Sequence, residues 1–357
     1  MINSLTIKNF KSIKDLTIDC KRINLFIGEP NTGKSNILEA LGLLSWLAYA
    51  KVAPEQIDSQ DSSKLIVPPQ QKYHPRLFDF IRFLGVQDLF RDGLIDDKVE
   101  ILVMKDKGIG VEMKLKSGSF IIEKKAEETG KRSNKDQKII QLDFKGDVTG
   151  APPLIKDFSA IKFYRFLKQQ FIFPFNTSSY LLPPSGSNLF SLVMGNRKLR
   201  EIMTQFYRES DLTLVLKPQN RTFEIQNRRE DFVFSYPYIS VSDTLQRIIF
   251  YIIAMESNEN STLIFEEPES NAFPYFTKYL GERIAKYNSN QFFISTHNPY
   301  LLSSIMEKAN KDSMNVFVTF IEDFQTKVVL LKSDQISEIL DSDPFFNLNK
   351  FTDRSGK

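Results

Sequence analysis

Scarce cysteine and histidine and a nearly balanced charge limit what this chain can be. A single cysteine, Cys20, excludes an internal disulfide framework and suits a reducing compartment. Two histidines, His74 and His297, are too few for an HNH-type nuclease, which needs several metal-binding histidines. The 47 Lys and Arg residues against 44 Asp and Glu leave a net charge of +3, which argues against coating of nucleic acid through bulk charge.

Long apolar runs and long heptad repeats are also missing from the sequence. No run approaches the ~20 apolar residues of a membrane span, and the first residues have the pattern of a strand, not of a charged-then-apolar signal. We therefore expect a soluble, cytoplasmic protein without a membrane partner. No heptad pattern is long enough for coiled-coil arms.

The stretch GEPNTGKS, residues 28–35, matches the phosphate-loop pattern G-x-x-x-x-G-K-[ST]. It lies between an apolar strand-like run at residues 23–27 and an apolar helical run at residues 37–47. In such a loop, backbone N–H groups and the positive end of the following helix bind phosphate oxygens. We expect Lys34 to reach the β- and γ-phosphates and the Ser35 hydroxyl to bind Mg²⁺. The predicted nucleotide-binding residues of this loop are Gly28, Asn31, Thr32, Gly33, Lys34, Ser35 and Asn36.

Two later apolar strands end in polar clusters. The first, residues 261–265, ends in Glu266 and Glu267. Adjacent residues at a strand end lie on opposite sides of the pleat, so we assign Glu266 to Mg²⁺ and Glu267 to the attacking water. The second strand ends in S-T-H-N, and His297 within it is predicted to hydrogen-bond the γ-phosphate and to report its presence.

Together these motifs resemble the ABC-type ATPase heads of the RecF, SMC and OLD group. The resemblance rests on I-K-N-F-K-S-I at residues 7–13, the phosphate loop, F-E-E-P-E at residues 265–269 and S-T-H-N at residues 295–298. Within that group the chain resembles the standalone bacterial AAA-type ATP-binding proteins linked to phage defence. The resemblance implies an α/β P-loop NTPase fold, an ABC-ATPase-like head with an antiparallel β lobe and an inserted helical lobe.

In that family two heads enclose the nucleotide, and the partner head supplies a serine-containing signature at the start of a helix. The matching stretch here is S-V-S-D-T-L-Q-R, residues 240–247, which we call the signature segment. By this resemblance Ser242 contacts the γ-phosphate across the interface. The usual glycine after the serine is replaced by Asp243, whose charge repels phosphate, so Asp243 either points away as a helix cap or weakens the contact. A plain capped helix is the alternative interpretation.

Two further positions depart from the family pattern or stay open. Glu266 stands where ABC ATPases more often have Asp, which changes the reach of the ligand but not its chemistry. The family's glutamine loop is not placed, since Gln70, Gln71 and Gln87 are all candidates.

The nucleotide motifs lie near both ends of the chain, which predicts a discontinuous core. We expect residues 1–50 and 231–335 to form it, residues 51–230 to form inserted β and helical lobes, and residues 336–357 to form a helix and tail.

Alternating polarity across residues 98–125 predicts an antiparallel meander. The aromatic-rich stretch 153–180 is interpreted as core packing plus a partner-facing helix, in preference to a surface for single-stranded nucleic acid. The charged run 124–138 is expected to be a solvated loop.

The predicted function is an Mg²⁺-dependent ATPase switch. ATP closes the heads into a dimer or a higher even-numbered homo-oligomer, hydrolysis opens them, and an effector on a separate chain, a nuclease or toxin, responds in bacterial defence. The alternative is a RecF-like ATPase that binds DNA in repair or genome maintenance. The expected cofactors are ATP and Mg²⁺, and the absent nuclease motif and near-neutral charge favour the switch.

Overall fold

The computed structural model describes residues 1–51, 75–105, 109–116, 119–126, 138–151, 153–168 and 176–332, with positions 334–336, 338 and 348. The strands follow in chain order: β1 (Ile2–Phe10), β2 (Ile13–Asp19), β3 (Ile23–Gly28), β4 (Val99–Lys105), β5 (Ile109–Lys116), β6 (Ser119–Ala126), β7 (Lys138–Gln141), β8 (Ile161–Tyr164), β9 (Leu212–Lys217), β10 (Thr222–Arg229), β11 (Phe232–Pro237), β12 (Thr262–Glu266), β13 (Gln291–Ser295), β14 (Met314–Glu322) and β15 (Gln325–Leu330). The α-helices follow likewise: α1 (Lys34–Tyr49), α2 (Leu77–Phe80), α3 (Leu189–Gly195), α4 (Arg197–Arg208), α5 (Asp243–Glu256), α6 (Pro274–Lys286) and α7 (Pro299–Lys308).

A six-stranded sheet, in the order β15-β14-β3-β13-β12-β8, forms the centre of the nucleotide-binding region. Its pairs are parallel from β14 through to β8, and only β15 runs antiparallel. In this register Ser295 at the end of β13 lies between Phe26 of β3 and Glu266 of β12. The carboxyl ends of these three strands therefore meet at one edge, where ligands of parallel α/β sheets bind.

The central strands are buried on both faces, which explains their continuous apolar runs. Ile264 and Phe293 face the cluster that contains α1, whereas their neighbours Phe265 and Phe292 face the cluster that contains α5, α6 and α7. Helix α1 is buried along almost its whole length, because it lies between the central sheet and the antiparallel sheet. The phosphate loop is consequently attached to a deeply buried helix.

A second sheet is antiparallel, in the order β2-β1-β4-β5-β6-β7. Its β4, β5 and β6 confirm the meander predicted from the alternation at residues 98–125. A third, three-stranded sheet has the order β11-β10-β9. Its β11 strand leads through a short 3-10 helix, Tyr238–Ser240, to the start of α5.

The predicted division of the chain into segments remains a prediction, but its boundaries do not follow the sheets. Strands β1 and β2, from the predicted core segment, belong to the antiparallel sheet, and β8, from the predicted insertion, pairs with β12 of the central sheet.

The prediction of a helix within residues 153–180 is wrong for the described part, where β8 is a strand. Its Phe163 and Tyr164 are buried, as is Phe158 before it, so the interpretation as core packing is confirmed for them.

Several predictions fall on positions that the structure does not describe. These are His74, two of the glutamine-loop candidates (Gln70 and Gln71), most of the charged run 124–138 and most of the C-terminal helix and tail. The third candidate, Gln87, lies in a short 3-10 helix, Val86–Leu89. Within the described ranges, no helix is long and apolar enough to cross a membrane.

Candidate nucleotide-binding site

Two glycines shape the loop between β3 and α1. Gly28 has a φ of 150° and Gly33 a φ of 94°, a conformation that residues with a Cβ rarely adopt. A Cβ at Gly28 would lie 2.4 Å from the Thr319 carbonyl oxygen, and one at Gly33 would lie 1.9 Å from Thr326 Oγ1. Strands β14 and β15 thus press against the loop, and only glycine fits at these two positions.

Helix α1 begins directly after this loop, with Gly33 as its N-cap. Glycine has no side chain that could cap the helix, and the first turn contains no acidic residue. The N–H groups of a first helical turn have no partner within the helix, and the helix dipole favours an anion there. The start of α1 therefore has the polarity that a phosphate group requires.

Lys34 lies across its own loop and is nearly fully buried. Its Nζ donates hydrogen bonds to the carbonyl oxygens of Gly28 (2.9 Å) and Glu29 (2.7 Å). Burial lowers the pKa of Lys34 to about 8, although the charges of Glu267 and Glu29 act in the opposite direction. An anionic phosphate would supply the charge partner that this buried ammonium needs.

Side chains of the other predicted loop residues brace the loop. Thr32 Oγ1 lies 2.8 Å from the Glu29 carbonyl oxygen and 2.7 Å from Thr319 Oγ1. The Asn36 amide donates to Ser12 Oγ at 2.7 Å. Asn31 is exposed, with a φ of 61°. For Thr32 and Asn36, any contact with nucleotide would come chiefly from their backbone N–H groups.

Strand β15 and the turn between β1 and β2 reinforce this bracing. Ser12 Oγ, the acceptor of the Asn36 amide, also lies 2.6 Å from Thr326 Oγ1. Ser12 belongs to the N-F-K-S stretch on which the resemblance partly rests. That stretch therefore has a local structural role, since it fixes the first turn of α1.

The structure brings Glu266 to the phosphate loop, where the Ser35 hydroxyl is one of the groups that lower the pKa of its carboxylate. Arg82 Nη2 lies 2.9 Å from Glu266 Oε1, and Arg165 Nη2 lies 3.1 Å from Oε2. Burial acts to raise the pKa of Glu266, but Arg165 and Arg82 outweigh it and hold the pKa below its usual value. Glu266 is therefore ionised at neutral pH, as a metal ligand must be.

Behind Glu266 lies a second, fully buried carboxylate that sequence reasoning missed. Glu39 is on α1, about one turn after Ser35, and its carboxylate pairs with Lys11 and with Arg82 Nε, the latter at 2.7 Å. Arg165 Nη2 lies 3.7 Å from the same carboxylate. Glu39 is surrounded by apolar residues of α1 in the sequence, so helical periodicity alone assigns it to the core.

Glu267 and His297 face each other at the ends of β12 and β13. His297 Nε2 lies 3.4 Å from Glu267 Oε1. Both side chains are more than a third exposed, His297 at 35% and Glu267 at 41%. Glu267 has a φ of 42°, and its N–H donates to the Ser295 carbonyl oxygen at 3.1 Å. Burial and the charge of Lys34 lower the pKa of His297, so the imidazole is largely neutral at pH 7.

A third carboxylate of this strand end, Glu269, was not predicted. It is 4% exposed and accepts a hydrogen bond from Thr296 Oγ1. Burial raises the pKa of Glu269 to about 7, and the charge of Glu267 adds to the shift. The E-E-P-E spacing was visible in the sequence, but the burial that sets this pKa was not.

Ser242 is the exposed N-cap of α5, and its side chain makes no capping hydrogen bond. The signature segment is held in place by neighbouring side chains: Thr244 Oγ1 donates to the Asn271 carbonyl oxygen at 2.8 Å, and Gln246 Nε2 donates to the Tyr238 carbonyl oxygen at 2.9 Å. Asp243 Oδ1 lies 3.5 Å from Lys168 Nζ. The helix thus begins where the signature pattern places it, with a hydroxyl at the exposed end.

The residues of the site fit ATP and Mg²⁺ by the chemistry of their donors. Ser35 and Glu266 offer a hydroxyl and a carboxylate oxygen, and Mg²⁺ usually takes its remaining ligands from water and phosphate oxygens. In the part of the chain that the structure describes, no group of three or more His, Cys, Asp or Glu residues is arranged as a metal site.

A phosphate loop at the end of β3, flanked by the carboxylates of β12 and the histidine of β13, defines an ATPase domain with a P-loop fold. The chain belongs to the AAA ATPase domain family, which matches residues 1–180. Residues 173–303 match the family described as "AAA domain, putative AbiEii toxin, Type IV TA system". The predicted fold class is thereby confirmed.

Known proteins similar to this chain agree with that assignment. An ATP/GTP phosphatase of Helicobacter pylori is 21% identical over 361 residues, which cover 94% of this chain and 93% of that protein. The DNA replication and repair protein RecF of Leptospira interrogans is 43% identical over 47 residues, which cover 13% of each chain. The Smc head domain with an extended coiled coil, bound to the C-terminal domain of ScpA and derived from Pyrococcus furiosus, has a TM-score of 0.50 and 12% identity, covering 95% of this chain and 98% of that chain.

Proposed function

We propose that this protein is an Mg²⁺-dependent ATPase whose head dimerisation is gated by the nucleotide. The observation that carries the proposal is the convergence of three strand ends: the phosphate loop after β3, Glu266 and Glu267 after β12, and His297 after β13. The similarity to an ATP/GTP phosphatase along almost the whole chain supports hydrolysis as the reaction.

In this proposal each side chain has one role. Lys34 binds the β- and γ-phosphates, while Ser35 and Glu266 hold Mg²⁺, which would neutralise charge on the phosphates. Glu267 orients the attacking water and accepts its proton. His297, neutral at pH 7 by the direction of its pKa, donates a hydrogen bond to the γ-phosphate and reports its presence.

The dimeric part of the proposal assigns Ser242 to the nucleotide of a second copy. Phosphate repulsion by Asp243 is the difficulty, and the ion pair between Asp243 and Lys168 reduces it. With that charge partly neutralised, the exposed start of α5 can approach an anion through Ser242 and its first N–H groups.

Light scattering on a hydrolysis-deficient variant tests this assembly. We expect Glu267→Gln with ATP and Mg²⁺ to shift to a dimer or a higher even-numbered oligomer, because the bound nucleotide is not consumed. Adding Ser242→Arg should prevent the shift, since a bulky side chain blocks the approach to phosphate. Ser210→Arg, at another exposed serine, is the matched control and should leave the shift intact. An oligomer that forms without ATP and ignores Ser242→Arg would refute the nucleotide-bridged interface.

The output of the switch is an effector on a separate chain, a nuclease or toxin acting in bacterial defence within the cytoplasm. The match of residues 173–303 to a family whose description names a Type IV toxin system supports the link to such a system, and the separate effector is our assignment. The product of the neighbouring reading frame should bind Glu267→Gln in the presence of ATP and show nuclease or toxin activity when expressed alone. A neighbour with neither property would contradict the effector role.

A RecF-like DNA-binding ATPase is the second candidate, favoured by the 47-residue match to RecF. The two candidates differ in their response to DNA. Double-stranded DNA should raise the ATP turnover of the isolated protein if it binds DNA as part of its cycle, and should leave turnover unchanged if a protein effector reads the state.

A further inference from the structure

Glu266 belongs to a cluster of five charged side chains beside the phosphate loop. It consists of Lys11, Glu39, Arg82, Arg165 and Glu266, and we call it the arginine cluster. The two carboxylates stand against three cations, so the cluster has an excess of one positive charge. That excess lies beside the phosphate loop, because Glu39 is on α1, about one turn after Ser35.

Each carboxylate oxygen of Glu266 is paired with the guanidinium group of an arginine. Arg82 is 2.9 Å from Oε1 and Arg165 is 3.1 Å from Oε2, while the Glu266 side chain is only 13% exposed. A metal ion that enters at Glu266 must approach both guanidinium groups, whose positive charges repel it. In this state the protein's own cations therefore compete with a metal ion for Glu266.

The two arginines differ in how firmly they are held. The Arg82 backbone N–H and its Nε both bond to Glu39 Oε1, at 3.1 and 2.7 Å, so the base of the side chain is anchored. Its Nη2 group extends to Glu266, and the side chain is 59% exposed. Arg165 lies at the carboxyl end of β8 and is 20% exposed. Each guanidinium can thus turn from Glu266 while its backbone stays in place.

We propose that Arg82 and Arg165 are ligands of the nucleotide phosphates that rest on Glu266 until a nucleotide binds. The phosphates provide these guanidinium groups with a new anion that matches their planar, forked geometry. Their transfer frees Glu266 for Mg²⁺, so metal and nucleotide enter together. This inference rests on the proposed ATPase function, and it adds a binding role for two residues outside the sequence motifs.

Two titrations of the full chain test the proposal, one with MnCl₂ alone and one with ATP in EDTA. Removing either arginine should raise the affinity for Mn²⁺, read by electron paramagnetic resonance, because Glu266 loses a competing cation. The same variants, Arg82→Ala and Arg165→Ala, should lose about tenfold or more in metal-free ATP affinity, the value of a hydrogen bond to a charged group. The two affinities therefore move in opposite directions.

Matched variants separate this role from a structural one. Arg197→Ala removes an exposed arginine that pairs with Glu201 and should change neither affinity. Arg82→Lys keeps the positive charge but lacks the forked geometry of the guanidinium group, so it should retain part of the ATP affinity. The same variant replaces Arg82→Ala if Arg82→Ala unfolds in a thermal melt. Unchanged ATP affinity in both arginine variants, or Mn²⁺ and ATP affinities that fall together, would overturn the inference. Wild-type protein that binds no ATP would instead refute the proposed function itself.

Discussion

His297 Nε2 lies 3.4 Å from Glu267 Oε1, and the two residues come from the ends of neighbouring parallel strands. Glu267 holds this place with a φ of 42°, a left-handed conformation that costs about 1–3 kcal/mol for a residue with a Cβ. Such strain persists where surrounding bonds enforce it, here from the Glu267 N–H to the Ser295 carbonyl oxygen. The pair is thus built into the edge of the sheet at which the phosphate loop also ends.

Glu267→Gln should bind ATP normally and hydrolyse it at least about a hundredfold more slowly, because the water loses its general base while the metal and phosphate contacts remain. Glu266→Gln should instead weaken Mg²⁺-dependent ATP binding. Single-turnover assays and calorimetry measure the two effects. If Glu266→Gln alone stops turnover and Glu267→Gln does not, the two roles are reversed.

His297→Ala should keep ATP affinity within a modest factor but lose turnover, as expected for a residue that contacts the γ-phosphate and not the fold. Because the side chain is 35% exposed, its removal should leave little cavity. Thermal unfolding decides between the roles. A large drop in melting temperature would identify His297 as a structural residue.

Lys34→Ala should abolish ATP binding, since it removes the side-chain cation of the phosphate loop. The pKa of Lys34, about 8 in the nucleotide-free protein, adds a pH dependence. Bound phosphate raises that pKa, so ATP affinity should be greatest below pH 8 and should fall as pH rises above it, with uptake of a proton on binding. Calorimetry at pH 8.5 in buffers of different ionisation enthalpy detects this uptake.

Lys34→Arg is the control for that pH dependence, because a guanidinium stays protonated across the range. If Lys34→Arg still binds ATP, its binding should take up no proton at pH 8.5. Wild-type affinity that is constant from pH 7 to pH 9.5 would contradict a lowered pKa at Lys34.

Gly33→Ala should lower the melting temperature and abolish ATP binding. The new Cβ would meet Thr326 Oγ1 at 1.9 Å, in addition to the strain of a φ of 94°. Gly93→Ala is a matched control, since Gly93 also has a positive φ, 70°, but nothing lies within 4 Å of its Cβ position. Differential scanning calorimetry compares the two. Equal losses of stability would show that backbone strain, and not contact with β15, requires glycine at residue 33.

Local sequence patterns determined the phosphate loop, the two strand ends and the meander of β4, β5 and β6. Each of these is a short-range signal: glycine spacing, an apolar run followed by polar residues, or alternation with period two. For the same reason Lys34, Ser35, Glu266 and His297 could be selected from their neighbours alone. The helix prediction for the aromatic stretch before residue 180 was wrong. The strand β8 in that stretch has only four residues, all of them buried, so it shows no alternation between a buried and an exposed face.

Only the tertiary structure decided which charges meet at the site. Arg82, Arg165 and Glu39 come from three separate parts of the chain, and in none of them does the local pattern differ from an ordinary surface or helix charge. Their contact depends on β8 joining the central sheet next to β12 and on α1 lying between two sheets, which are long-range pairings. The sequence by itself determined the nucleotide motifs, because their chemistry depends on neighbouring residues. The fold alone determined the arginine cluster and the pKa values of Lys34 and Glu269, because burial and charge pairing arise only from packing.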